Sequence, residues 1–275
     1  MMMDLKSSGD IQSPKSSSLS LKSAVSNKIA CKVFWLMASV LTVVVFVVLV
    51  KLGFWQLSRG EEKQQLEQQL LDRQQMSPLS VQQLSAMDAE LNVTGFPLQI
   101  DVKPQPLPLV YLDNVTHDSK VGYRVLQPMA VVVKREKSLL SSELVLVELG
   151  FVVASITRDE LPKVTPIGQA QRFTGKVYQK STNPLSSDVM LENMPEGMRI
   201  QNLNLSQLAA ALDAPLLPFV FQPEVIVNSD LPMMWSPYPM TSQKHFGYAF
   251  QWFGMAGVYA LLVILFVLRK RKVKE

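Results

Sequence analysis

Two histidines and a single cysteine occur among 275 residues, so chemistry that depends on them has few places to occur. His245 stands just before Phe-Gly-Tyr-Ala-Phe-Gln-Trp-Phe. On a helix, steps of three, four and seven return to one face, which puts His245, Tyr248, Ala249, Trp252, Ala256 and Tyr259 on one stripe. A neutral imidazole at a bilayer boundary can ligate haem iron, flanking rings can pack on a porphyrin, and the acyl region can shelter its apolar edge. The same stripe also fits an aromatic belt, because Tyr and Trp collect at membrane interfaces and a boundary histidine costs little. Both readings stay open on residue types alone.

A matching end lies far upstream, where Trp55, Arg59 and Lys63 are four apart and stack an indole, a guanidinium and an ammonium on one helical face. Such a face can receive the two carboxylates of a haem, or it can anchor on lipid headgroups by snorkelling. Met233, Met234 and Met240 lie near His245, and thioether with imidazole suits Cu(I). With fourteen methionines in the chain, packing or membrane contact explains that cluster as well. His117 sits in Asp113-Asn114-Val115-Thr116-His117-Asp118, whose residues a surface turn uses anyway. Gly-x-Ser-x-Gly, His-Glu-x-x-His and a phosphate loop are all missing. One cysteine excludes an internal disulfide and thiolate metal clusters. Cys31 precedes the first apolar run, so it is not a lipoprotein acylation site and reads as an interfacial residue.

The elements that must position these residues begin with two apolar runs. Residues 33–50 carry no charge and Leu52 to Leu57 extend them, while Phe246 to Leu268 are uncharged and stop at Arg269-Lys270-Arg271-Lys272. Each is long enough to cross a bilayer as a helix. The net charge of +4 sits at the ends: residues 52–244 carry sixteen basic and twenty acidic side chains. That mildly acidic middle is no nucleic-acid surface. Basic residues precede the first run and follow the second, so the positive-inside rule places both termini in the cytoplasm and the main domain in a periplasm or intermembrane space. A cleaved signal peptide is the rival for the first run, but the stretch is long and no small-x-small site follows it.

The expected organisation is therefore a solvated tail over 1–32, a membrane helix over 33–57, an outer domain over 58–244, a second membrane helix over 245–268 and a basic tail over 269–275. The tail has nine serines and no apolar period. Arg59 to Gln75 reads as an amphipathic helix ended by Met76-Ser77-Pro78. Strands are expected at Leu91–Phe96, Leu109–Leu112, Gly122–Val133, Leu144–Val153, Gln171–Gln179 and Phe219–Val227, with Pro97–Pro108 and Pro232–Pro239 as extended connections. A short helix spans Leu205–Leu212, capped by Asn204 or Ser206. The fold class is thus a two-pass α-helical membrane anchor with one β-rich (α+β) outer domain, an antiparallel sheet curled toward a barrel. Two small-residue pairs, Ala38 with Thr42 and Ala256 with Ala260, would let the helices approach.

This layout, with Gly53-Phe54-Trp55-Gln56-Leu57-Ser58-Arg59 and Lys63 at one end and His245-Phe246-Gly247-Tyr248-Ala249-Phe250-Gln251-Trp252-Phe253 at the other, resembles the surfeit locus protein 1 family. Val93-Thr94-Gly95-Phe96, Tyr111-Leu112-Asp113-Asn114 and Gly122-Tyr123-Arg124-Val125-Leu126-Gln127-Pro128 fit the resemblance too. It implies a non-enzymatic assembly factor for haem-copper terminal oxidases, cytochrome c oxidase above all, residing in the inner membrane. It further implies haem a as cofactor, with His245 as axial ligand and Trp55, Arg59, Tyr248 and Trp252 around it. The implied partners are the oxidase large subunit, haem a synthase as a further candidate, and membrane lipid. Where the family usually shows Arg-Gly-Trp after a central strand, this chain has Glu148-Leu149-Gly150-Phe151. Rivals are a structural chaperone that never touches haem, a copper donor, and a two-pass sensor, the last disfavoured by the short cytoplasmic tails.

Overall fold

The computed structural model describes residues 16–88, 90–132, 143–155, 157–180, 188–227, 229–235 and 240–272, with backbone alone over 16–31. The chain divides into two units, one from the two ends (Met1–Glu62 with Ser242–Glu275) and one from Lys63–Thr241. Helix α1 (Ser16–Gln74) contributes to both, and α4 (Ser242–Lys272) belongs to the first.

The second unit is built on strands that alternate or are buried on both faces. In chain order they are β1 (Pro97–Pro104), β2 (Val110–His117), β3 (Lys120–Val131), β4 (Leu144–Val153), β5 (Gln171–Tyr178), β6 (Glu192–Met194), β7 (Gly197–Ile200) and β8 (Leu216–Pro223), with short helices α2 (Val81–Ser85) and α3 (Leu205–Ala211). The sheet order is β1-β5-β8-β4-β3-β2-β7-β6, and β1 also pairs with β3. The first five of these therefore close into a barrel, which removes exposed sheet edges from that part of the structure. Inside it pack Leu98, Ile100, Val102, Val125, Met129, Val145, Val147, Val177 and Phe221. Two pairings, β4 with β8 and β2 with β7, are parallel, so the sheet is mixed where an antiparallel one was expected. Strands β2, β7 and β6 continue past the barrel as a flap. Under α3 they form a second core of Val110, Leu126, Leu146, Ile200, Leu208 and Val220.

Leu91–Phe96 is a turn rather than a strand, and the first strand is Pro97–Pro104, which had been expected as a connection. Arg73 in the last turn of α1 explains the turn. Its guanidinium donates to the carbonyls of Asn92 and Thr94 at 2.9 and 2.5 Å and lies 4.4 Å over the Phe96 ring, so those carbonyls are taken before a ladder could use them. Strand β1 begins at its proline, where a missing N–H is tolerated, and then alternates buried Leu98, Ile100 and Val102 with Gln99, Asp101 and Lys103. β2 runs five residues beyond its expected end, because an irregularity between Leu112 and Val115, with Asn114 at φ 58°, carries the pairing onward. The turn comes only at Asp118-Ser119, both at positive φ. Asn204 is the cap of α3, accepting from the Gln207 N–H at 3.1 Å.

A charge is buried on the outside of the barrel. Glu148 in β4 is only 2% exposed, with the Arg124 Nε of β3 3.4 Å from its Oε1. Met234, in the segment 229–235, closes over this pair: its carbonyl accepts from Gln222 Nε2 at 2.6 Å and from Arg124 at 3.3 Å. Burial holds the Glu148 carboxyl above the ordinary carboxylate range, opposed first by Arg124 and then by hydrogen bonds from Gln222 and the Met234 backbone.

In the first unit both helices are long and apolar enough to cross a membrane, and their apolar side chains, such as Val40, Leu41, Val44, Leu261 and Phe266, are exposed. α1 is continuous from Ser16 to Gln74, so the segment 16–32 is helical where a solvated tail was expected, and the membrane and amphipathic pieces form one helix. Extending a helix from an existing stretch needs no new nucleus, whatever its composition. The first fifteen residues and the Cys31 side chain lie outside the described residues.

Candidate haem-binding flank

Two glycines on α1 decide how the helices of the first unit meet. A Cβ at Gly53 would stand 2.7 Å from the Phe253 ring, and one at Gly60 would stand 2.5 Å from the Phe246 ring. The pairings run in opposite chain directions, so α1 and α4 are antiparallel here. On α4 the buried small residues Ser242, Ala249 and Ala256 repeat every seven positions, as Gly53 and Gly60 do on α1. A seven-residue repeat keeps a seam facing its partner, and small residues let backbones approach closely. Of the two small-residue pairs read from sequence, Ala256 lies on this seam. Thr42 and Ala260 line one groove of this helix pair, and the Thr42 hydroxyl returns to the Ala38 carbonyl at 2.8 Å.

The seam has two flanks. At about 100° per residue, Gln56 and Arg59 fall to one side of the Gly53–Gly60 line. His245, Tyr248 and Trp252 fall to one side of the Ala249–Ala256 line, and in an antiparallel pair these sides coincide. The contacts agree: His245 Nδ1 lies 2.8 Å from Gln56 Oε1, while Phe54 and Phe253 meet edge to face at 5.1 Å on the other flank. Trp55 lies further round α1, away from the seam, and is half exposed. Tyr248 is also nearly half exposed, and Trp252 and His245 are intermediate. Lys63 falls in the other unit. Arg59 is already paired, its Nη1 donating to Glu62 Oε2 at 2.6 Å, with both side chains about half exposed. A pair so exposed contributes at most about 1 kcal/mol, so the guanidinium can exchange partners at little cost.

These residues fit a haem by their chemistry. His245 Nε2 has no hydrogen-bond partner among the described residues, half-exposed rings border it, and a cation that can change partners lies on the same flank. The residue sequence reasoning missed is Gln56. It sits inside the quoted motif between two glycines seven apart, and that spacing was the available signal.

Other candidates are placed elsewhere. His117 ends β2, half-buried, with Nε2 3.6 Å from the Asp118 carboxylate and its ring 5.4 Å from Phe151. Met233, Met234 and Met240 belong to the second unit and His245 to the first. Among the described residues no cluster of His, Cys, Asp and Glu could hold a metal ion. Leu149 and Phe151, at the family's Arg and Trp positions, are 2% and 3% exposed inside β4, and Gly150 packs under Leu231 and Pro232. This segment is spent on the fold and presents no surface to a partner.

Residues 43–257 match the model of the SURF1 family. No curated protein matches the chain.

Proposed function

Since the chain belongs to the SURF1 family, an oxidase-assembly family rather than an enzyme family, we propose that it is a membrane-bound assembly factor for a haem-copper terminal oxidase. It holds haem a, or passes it to the oxidase large subunit, without chemical turnover of its own. The observation that carries this reading is the common flank of α1 and α4. There His245, held through one ring nitrogen, keeps the other without a hydrogen-bond partner among the described residues, on the same flank as Tyr248, Trp252 and Arg59. Haem a, when bound, brings an iron and a flat apolar ring with two carboxylates. His245 Nε2 would supply a nitrogen to the iron, Tyr248 and Trp252 would offer ring faces, Arg59 would pair with a carboxylate in place of Glu62, and Trp55 would add apolar contact. Co-expression with haem a synthesis, purification and an absorption spectrum test this directly. A haem a spectrum is expected, and its absence would move the reading to a structural chaperone.

In this proposal α1 and α4 cross the inner membrane with both termini cytoplasmic and the barrel unit outside, which the flanking lysines and arginines support. A reporter active only in the cytoplasm, fused after Gln179, is expected to be silent. Strong activity there would reverse the topology.

A further inference from the structure

We propose that Gln56 is a positioning residue for His245: its side-chain carbonyl selects the tautomer that leaves Nε2 free to bind iron. This rests on the haem reading above and adds a role that the resemblance did not assign. His245 Nδ1 is 2.8 Å from Gln56 Oε1, across the two helices. An amide oxygen can only accept, so the ring proton sits on Nδ1 and the Nε2 lone pair is bare. Two bulky contacts fix the height of Gln56, since Gly53 three residues before it and Gly60 four residues after it are each closed by a phenylalanine of α4. The seam thus sets where the Gln56 backbone stands opposite His245. An acceptor on the far nitrogen of a metal-binding histidine fixes the ring and raises its basicity. The choice of an amide matters as well: a carboxylate at this place would push the imidazole toward imidazolate and strengthen the iron bond, whereas a neutral acceptor orients the ring and leaves the bond weaker. That suits a chain that must give its haem away.

The test uses the full chain in detergent, purified from cells that make haem a, with Gln56→Glu, Gln56→Leu and His245→Ala beside the wild type. The readouts are haem occupancy, the haem reduction potential and, in the reduced protein, the iron–histidine stretching frequency. Gln56→Leu is expected to weaken haem retention about tenfold, to raise the potential and to lower the stretching frequency. Gln56→Glu should retain haem, lower the potential and raise the frequency. Opposite movements from the two variants cannot come from a loosened helix pair, which would move both the same way. Wild-type potential and occupancy in both Gln56 variants, with haem lost from His245→Ala, would overturn this proposal and leave the haem reading standing. Full occupancy in His245→Ala would overturn both.

Discussion

Replacing Arg124 with Met should destabilise the barrel unit by about 3–5 kcal/mol at neutral pH, because it strands a buried carboxylate. Glu148 is 2% exposed and Arg124 11% exposed, and the 3.4 Å pair is the main compensation for taking that charge out of water. Hydrogen bonds from Gln222 and the Met234 backbone and the weaker attraction of Lys176 remain in the variant but do not replace Arg124. The loss also reaches the segment 229–235, since the Met234 carbonyl gives up one of its two donors. Urea unfolding of the solubilised chain, followed by hydrogen exchange of the barrel amides, reads the difference. Glu148→Gln should cost less, because a neutral amide can keep accepting from Gln222 and the Met234 backbone while the burial penalty on the carboxylate disappears. A loss below about 1 kcal/mol for Arg124→Met would place the pair among exposed ion pairs and contradict its burial.

The pH dependence has a definite sign. Burial raises the Glu148 pKa above its ordinary 4.5 in spite of Arg124. Between the unfolded value and that raised value the folded chain holds the extra proton, so this group makes stability fall as pH rises, by at most about 1.4 kcal/mol per unit. Above the raised value the slope vanishes. Glu148→Gln should remove this component, and Arg124→Met should extend it to higher pH because the stronger of the two opposing cations is gone and only Lys176 remains. Unfolding curves at several pH values from 5 to 8 distinguish the two.

That pair also shows what the sequence could and could not convey. Leu144–Val153 was read as a strand and is one, with the same ends, because a near-continuous apolar run bounded by turn-forming and polar residues leaves little else open. The lone Glu148 within that run was a visible anomaly, but its partner, Arg124, lies in another strand, and pairing register is not written in either segment. The barrel closure was hidden for the same reason. Leu98, Ile100 and Val102 alternate cleanly, yet the flanking prolines argued for a connection, and only the Arg73 contacts show why the preceding residues turn instead. In the helical unit the aromatic stripe was legible from period alone. Which flank it shares with α1 was not, since Trp55 and Arg59 were read as one face and the structure sets Trp55 further from the seam. The glycines that fix the helix pairing look unremarkable until Phe246 and Phe253 are seen filling the space they leave.

His245→Ala should remove most of the bound haem while leaving membrane insertion unchanged, and the reason lies in what each residue on the flank supplies. Of these side chains the imidazole is the one that would bind iron without first losing a proton, and its Nε2 has no hydrogen-bond partner among the described residues once Nδ1 has met Gln56. Losing a boundary histidine makes a helix easier to insert, if anything, and the Gly53–Phe253 and Gly60–Phe246 contacts that hold the pair together do not involve it. Arg59→Ala should weaken retention more mildly, because the guanidinium must first leave Glu62, so that only the difference between the two contacts is lost. Trp55→Ala belongs in the same intermediate class and below Arg59→Ala, since its ring lies furthest from the seam. His117→Ala should change nothing: its hairpin and its contact with Phe151 account for it, and it lies in the barrel unit. The measurement is haem per polypeptide at matched expression, and the order of the variants carries the content. A flat series, with His245→Ala as full as wild type, would reduce the stripe to a membrane belt, and the oxidase subunit itself would become the ligand to look for.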